Sequence, residues 1–420
     1  MDIAILLHLY QPAVQDPAVL SRVVSECYLP LINTIQKNNF SNITFDIPLS
    51  LLEQMDKESY YEWIEKIKQM NNAEKVELTG SAAYHPLLPK LPGQVVQEQI
   101  ILNEYGLGYY FGSTQGFEGE EAMIIQDLNG FFPPELAVNM SLIQQLDDLN
   151  YSWVLVDETA FSRNPDLNKN NCLYEIKGFN IKIVKRDSKL SNLISFKRDL
   201  NLSDIKDYLT KKKEQNTEAL IVALDGEAFG HHNKDGLVFF EILMKLIKEL
   251  NIDLVKISDI VDGYGDIVKA DEISESSWGA CAEDIENNRP YPVWEGKEAQ
   301  NLMWGLQNEI VKYYLSLKDK DVPVVNEYQN APIWKKDVLE KMNDNLAREI
   351  ESNLIFHKSL NSDKFWWLSN KKLGENILYN PGFVEKSLDL FVEYIVGVAD
   401  LRHLQEDIKA KINEIKDILK

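Results

Sequence analysis

The sequence predicts an α/β fold, a parallel barrel followed by a helical region, and three observations predict it. Up to about residue 268, short apolar runs alternate with amphipathic segments, as strands and helices do in a parallel sheet. No GxGxxG or GxxxxGK(S/T) follows any of these runs, so nucleotide-binding open sheets lose support and a closed barrel is favoured. Beyond Ser274 the strand signal stops and long helical patterns take over. The expected division is a barrel domain over 1–270 and a helical domain over 271–420.

Seven runs read as short buried strands: Ile3 to Leu9, Ile43 to Ile47, Val76 to Thr79, Trp153 to Val156, Ile181 to Val184, Leu220 to Leu224 and Leu254 to Ile257. Leu237, Phe240, Leu243, Met244, Ile247 and Leu250 recur at three- and four-residue spacing and share one helix face. Asp16-Pro17 and Asp56 read as helix starts. After the polar connector SSWGACAEDIENNRPYPVW, helices are expected over Leu302 to Leu317, Val338 to Leu360 and Val384 to Leu419. Leu401, Leu404, Ile408, Ile412, Ile415 and Leu419 form a stripe that fits packing on the protein's own body better than a coiled-coil partner.

Hydrophobic residues at 45%, with 8 Trp, 18 Tyr and 16 Phe, exclude a disordered chain. A net charge of −22 repels phosphate backbones and anionic lipid, so nucleic-acid and membrane-surface partners are not expected and a neutral or cationic ligand is favoured. Cys27, Cys172 and Cys281 are too far apart for a zinc motif or a disulfide framework. The N-terminal MDIAILLHLYQP has an acid in place of a basic region and reads as a first strand, and no apolar run reaches the ~18 residues that span a bilayer. A cytoplasmic location is expected.

Chemistry in a parallel barrel sits at the C-terminal ends of the strands. There the sequence has His8-Leu9-Tyr10-Gln11-Pro12, Gly80-Ser81-Ala82-Ala83-Tyr84-His85-Pro86, Phe131-Phe132-Pro133-Pro134-Glu135, Asp157-Glu158, and Asp225-Gly226-Glu227-Ala228-Phe229-Gly230-His231-His232. Four of the six histidines fall in these short stretches, which marks them as a site. Glu135 follows two prolines that stiffen its stem, and it reads either as a displayed carboxylate or as the N-terminal acid of the next helix. Asp225 reads as a reactive acid, as a polar turn before the helix at 237–250, or, with Glu227 and the histidines, as part of a metal loop, although HExxH spacing is missing. Two carboxylates on different strand ends can flank a glycosidic bond, one as nucleophile and one as acid then base. Tyr10, Tyr84, Trp153, Trp278 and Trp294 could offer flat faces to sugar rings, although each alone reads more simply as core.

With these motifs in hand the chain resembles glycoside hydrolase family 57, retaining α-glycosidases, amylases, glucanotransferases and branching enzymes of α-glucans, over almost its whole length. HLYQP resembles the first family motif at His8, Gln11 and Pro12, with Tyr10 where many members have a second His. TGSAAYHP resembles the second, with His85. GFFPPELA resembles the third and assigns the nucleophile to Glu135, while LDGEAFGHH resembles the fourth and assigns the general acid/base to Asp225, with Glu227 and His232 as substrate contacts. SDKFWWLS resembles the fifth and makes Asp363 and Trp366 substrate-facing. The resemblance implies a distorted (β/α)7 TIM-like barrel, a C-terminal helical domain closing over the cleft, no cofactor and no metal, substrate binding through His8, Tyr10, Gln11 and His85, and a covalent glycosyl-enzyme. It leaves α-amylase-type hydrolysis and transglycosylation both open. The competing readings are a metal-dependent polysaccharide deacetylase on a related barrel and a non-catalytic glucan-binding protein.

Overall fold

The computed structural model describes residues 1–112, 128–164, 167, 171–264, 267–317, 333–340, 342, 344–369, 372–373, 376–377 and 380–418. Its strands are β1 (Asp2–His8), β2 (Ile43–Asp46), β3 (Val76–Leu78), β4 (Gly130–Phe131), β5 (Trp153–Asp157), β6 (Leu173–Ile176), β7 (Lys182–Arg186), β8 (Ala219–Asp225), β9 (Asp253–Leu254) and β10 (Val268–Ala270). Parallel pairing runs β3-β2-β1-β8 in one sheet and β7-β5-β4 in a second. Two seams join them. Gly80 N–H donates to Gly130 O at 2.8 Å and Phe132 N–H to Gly80 O at 2.9 Å, while Asp187 N–H donates to Ile221 O at 2.7 Å. The result is a (β/α)7 barrel whose distortion lies at the seams, where the ladders shrink to one or two bonds. Outside the barrel, β6 runs antiparallel to β7 and carries β10 on its far edge.

Alternation along each strand explains why both faces are apolar. Ala4 and Leu6 of β1, Ile221 and Ala223 of β8, and Trp153 and Leu155 of β5 fill the barrel interior. The intervening Ile3, Ile5 and Leu7, with Leu220, Val222 and Leu224, turn outward onto the helices. Small side chains inside leave room for Trp153, which is fully buried and donates its indole N–H to Ser258 Oγ at 3.0 Å. Gly130 is required there, since an added Cβ would lie 1.9 Å from the Trp153 ring.

Several expectations need correction. The run Leu254 to Ile257 is no barrel strand: β9 has two residues, and a helix follows over Ile257–Gly263. β9 pairs with Asp2 and Ile3 of β1, whereas β2 pairs with Ile5 to His8, so no further edge of β1 is available to it. The seventh barrel strand is instead the two-residue β4, too short to show a periodicity. Asp16 caps its helix, accepting from Ala18 N at 2.9 Å, but Asp56 lies in the last turn of the helix Leu49–Lys57. The pattern from Val338 to Leu360 is two helices, Lys336–Leu339 and Asp344–Ser359, and that from Val384 to Leu419 is also two, Pro381–Gly397 and Gln405–Ile418. A small hairpin, Lys372–Leu373 with Asn376–Ile377, occurs where only helix was expected.

The C-terminal helices build their own apolar cluster, in which Leu401, Ile408, Ile412 and Ile415 pack against the helices Glu298–Leu317 and Pro381–Gly397. The stripe is therefore covered by the chain itself; its last member, Leu419, lies outside the described residues. Among the described residues, no helix is long and apolar enough to cross a membrane. Gly130→Ala is expected to cost about 1–3 kcal/mol by overpacking against Trp153, whereas Gly263→Ala, with nothing within 4 Å of the new Cβ, should leave stability nearly unchanged. Chemical denaturation of the two variants beside wild type checks the contrast.

Candidate active site

The strand ends bring the expected residues to one mouth of the barrel. Register pairs His8 with Asp46 of β2 on one side and with Asp225 of β8 on the other, so three polar groups stand in a row on adjacent strands. The His8 ring stacks between Phe132 and His85, with centroids at 4.9 and 5.0 Å, and His85 stacks on Tyr10 at 4.0 Å. His8 Nδ1 lies 2.5 Å from Asp46 Oδ2. Burial pushes the imidazole pKa down, but the Asp46 hydrogen bond and charge, with smaller help from Asp225 and Glu227, raise it to about 9.

Glu135 sits in a tight turn with φ 61°, followed by Leu136 at φ 46°, a left-handed pair that costs side-chain-bearing residues energy. The turn is held by Leu136 N–H on Pro133 O (2.8 Å) and Trp278 N–H on Glu135 O (3.1 Å). Glu135 does not serve the following helix, because Asn139 caps it, accepting from Leu142 N at 2.8 Å. Both carboxylate oxygens of Glu135 accept: Trp278 Nε1–H donates to Oε2 at 2.7 Å and Ser362 Oγ–H to Oε1 at 2.9 Å. Burial, then the charge of Asp363, push its pKa up to about 8, against the pull of these two donors and of His8.

Asp225 ends β8 half-buried, directly before a 3-10 turn over Gly226–Phe229 to which its side chain gives no capping bond, and the next α-helix begins eleven residues later with Asp235 at its cap. Its charge reaches both His8 and Glu227. Glu227 is only 6% exposed and accepts from Gln11 Nε2 at 3.2 Å and from the Tyr28 hydroxyl. Burial, followed by the Asp225 charge, raises its pKa to about 7. Tyr28 closes a π-helical turn, Val24–Tyr28, that presses on the Asp225 loop. Gly230, at φ 150°, has no room for a Cβ there, since Glu26 O would be 2.2 Å away.

The C-terminal region completes the mouth. Asp363 accepts from the Tyr10 hydroxyl at 2.5 Å, and burial raises its pKa to about 6 although that bond opposes the shift. Ser362 also takes His85 Nδ1 at 3.1 Å and donates its backbone N–H to His85 O at 2.9 Å. His85 is itself kept neutral, first by burial and second by the His8 charge.

Not every expected residue joins this cluster. His232 lies at its edge: it is exposed, donates its backbone N–H to Glu227 O at 2.9 Å, and its imidazole, whose pKa burial lowers, feels the opposing charge of Asp225. Trp366 is half-buried against the C-terminal apolar cluster, 5.5 Å from the Trp367 ring, and meets the site through its backbone N–H on Ser362 O at 3.4 Å. Tyr84, Trp153 and Trp294 are buried core, which leaves Tyr10 and Trp278 as the half-exposed rings of that group. Asp46, Tyr28 and Ser362 are members the sequence did not single out. Asp46 lies inside the run Ile43 to Ile47 rather than just past it, so the signal that flags Asp225 does not single it out, and Tyr28 lies inside a helical pattern with no signal. Trp278 acts on Glu135 through its N–H, backed by the Arg186 guanidinium 5.9 Å from its ring, which is paired with buried Asp157 at 2.8 Å. Among the described residues no group of three or more His, Cys, Asp and Glu is placed to hold a metal ion.

These features define a parallel-barrel protein with a cluster of buried carboxyl groups and stacked rings at its strand C-termini. The chain belongs to glycosyl hydrolase family 57, whose model matches residues 7–273. Alpha-amylase 1 of Dictyoglomus thermophilum is 26% identical over 230 residues, 53% of this chain and 31% of the amylase, so the match spans about a third of that relative's length. The fold is also that of the branching enzyme of Pyrococcus horikoshii (TM-score 0.68, 14% identity, 98% of this chain and 94% of that one). It is shared by the amylase AmyC of Thermotoga maritima (TM-score 0.64, 15% identity, 100% and 99%) and by the 4-alpha-glucanotransferase of Thermococcus litoralis (TM-score 0.65, 15% identity, 94% and 58%).

The balance on Glu135 gives predictions of opposite sign. Trp278→Phe removes a donor to the charged form and should move the Glu135 titration above about 8. Asp363→Asn removes a like charge and should move it below that value. Carboxyl 13C NMR of labelled glutamate in each variant reads both shifts; movement in the same direction would contradict the assignment.

Proposed function

We propose that the chain is a retaining α-glycosidase acting on α-glucans by double displacement, with Glu135 as nucleophile and Asp225 as general acid and base. The observation that carries this reading is that Glu135 and Asp225, ninety residues apart in sequence, are linked at the barrel mouth: Asp225 pairs in register with His8, His8 stacks on His85, and the Ser362 hydroxyl bonded to Glu135 also meets His85. Both oxygens of Glu135 are oriented by neutral donors, the arrangement that suits an anion aimed at an anomeric carbon. Asp225 is the more exposed of the two and stands where a leaving oxygen could take its proton. The half-exposed Tyr10 and Trp278 rings would border the sugar, and His8, Gln11, His85, Glu227, His232, Asp363 and Trp366 are the further substrate-side residues of this proposal. A neutral glucan suits so acidic a mouth.

In the first half-reaction Glu135 attacks the anomeric carbon as Asp225 protonates the departing oxygen. In the second, Asp225 takes the proton of the incoming hydroxyl as its oxygen bonds to the anomeric carbon and the bond from that carbon to Glu135 breaks, releasing the free carboxylate. Water as the acceptor gives hydrolysis, and a sugar hydroxyl gives transfer. The relatives named above include an amylase, a branching enzyme and a glucanotransferase, and hydrolysis of a 1,4-glucan is the reading taken here. The proposed boundaries are a catalytic barrel over 1–270 and a helical domain over 271–420 that supplies Ser362 and Asp363 to the cleft.

Glu135→Gln and Asp225→Asn should each lower kcat on maltoheptaose by at least about 10²–10⁴-fold while sugar binding survives. On an activated aryl glycoside, Asp225→Asn should be hurt less in the first step, because a good leaving group needs little protonation. An activated glycosyl fluoride should leave its sugar on the peptide carrying Glu135; a label on the Asp225 peptide would reverse the roles. Since the nucleophile works as the anion and its pKa is raised to about 8, kcat/KM should climb as pH rises toward that value and fall below it.

A further inference from the structure

Asp46 ends β2 and belongs to none of the five motifs. It is fully buried, and its Oδ2 is the partner of His8 Nδ1. The stacking of His8 between Phe132 and His85 fixes the plane of the ring but not its rotation within that plane. A carboxylate on Nδ1 fixes the rotation, the tautomer and the charge together.

We propose that Asp46 is a positioning residue for the reaction, holding the His8 ring charged and oriented between Glu135 and Asp225. The inference rests on the roles given to those two carboxylates above. Asp46 touches no substrate and makes or breaks no bond; it acts through His8. The ring is bonded to Asp46 from β2 and feels the charges of Asp225 at the end of β8 and Glu227 in the loop after it, and its own charge reaches Glu135 in the turn after β4 and Asp363 in the C-terminal region. Its remaining polar neighbours, His85 and Tyr10, are kept neutral by burial, so they add no cation to the cluster. The charge of His8 in turn favours the ionised forms of Glu135 and Asp363. Without Asp46, burial would strip His8 of its proton near neutral pH, and Glu135 would lose the cation that favours its anion.

The test combines imidazole NMR with kinetics on wild type, Asp46→Asn, His8→Gln and the double variant, with near-UV circular dichroism as the check of folding. With six histidines in the chain, the signal missing in His8→Gln assigns His8. In wild type this ring is expected to titrate near 9, and in Asp46→Asn at least about one unit lower. The acid limb of kcat/KM should move up by about one unit in Asp46→Asn, costing about tenfold at pH 7 and recovering at higher pH. His8→Gln should shift the limb in the same direction, and adding Asp46→Asn to it should shift the limb no further. Should Asp46→Asn fail to fold, His8 titrating near its ordinary value in wild type, or His8→Gln leaving the limb in place, would still overturn the proposal. A His8 titration unmoved by Asp46→Asn overturns it, as does a loss of activity equal at every pH. A wild type that titrates as expected but turns over no α-glucan overturns the functional reading, and with it this role, whereas an active enzyme with an unmoved limb overturns the role of Asp46 alone.

Discussion

Five carboxyl groups, those of Asp46, Glu135, Asp225, Glu227 and Asp363, are coupled by charge to one imidazole at the mouth of the barrel, and the rest of the site is arranged around the cost of that convergence. Four of the five are 6% exposed or less. A buried carboxylate without a partner loses its charge, so each can be an anion only where a donor or cation favours it. Glu135 takes an indole N–H and a serine hydroxyl, Glu227 a phenol and an amide, Asp363 a phenol, and Asp46 the ring itself. The compensation is incomplete: burial still pushes Glu135 up to about 8, Glu227 to about 7 and Asp363 to about 6. Groups poised this way gain or lose a proton within the neutral range, which proton-transfer chemistry requires and a purely structural polar core does not.

What the sequence made legible follows from the same physics. Strands buried on both faces are continuous apolar runs, so six of the seven barrel strands are legible, and the residues at or just past their ends include His8, His85 and Asp225, whereas Glu135 is flagged by the Phe131-Phe132-Pro133-Pro134 stretch before it. Where a strand shrinks to two residues, as at Gly130–Phe131, there is no period to read, and the seventh strand was assigned to Leu254 to Ile257 instead. That run has the composition of a strand but no free edge of β1 to pair with, a fact of topology rather than of local sequence. Tyr28 was hidden for a related reason. Its role depends on one π-helical turn that swings a helical residue toward a loop almost two hundred positions away.

The C-terminal region is the larger lesson. Residues 7–273 match the family, yet two of the groups that set the state of Glu135, Ser362 and Trp278, lie beyond that span. Asp363, whose charge acts on Glu135, lies beyond it too. The turn that carries Ser362 and Asp363 is tied to the barrel through backbone as well as side chains: Ser362 N–H donates to His85 O, and Asn361 bridges to Pro86. The barrel alone would leave Oε1 of Glu135 without its serine and Tyr10 without its carboxylate. A helical pattern read from sequence reports how such a region packs, and is silent on which turn between two helices reaches the site.

The phenol at position 10 shows how the residue type there sets the balance. An imidazole at this position could carry a positive charge beside Asp363. Tyr10 can only donate a neutral hydrogen bond, and burial, with the Asp363 charge behind it, pushes its own proton affinity further up, so it stays neutral. Asp363 is accordingly raised to about 6, and its charge, when present, is felt by Glu135 with no neighbouring imidazolium at position 10 to offset it. His8 supplies positive charge to both carboxylates, with Lys364 also acting on Asp363, and it can do so only while Asp46 holds its proton. The replacement of one ring by another on β1's far side thus increases the dependence of the whole cluster on a single buried hydrogen bond between β1 and β2.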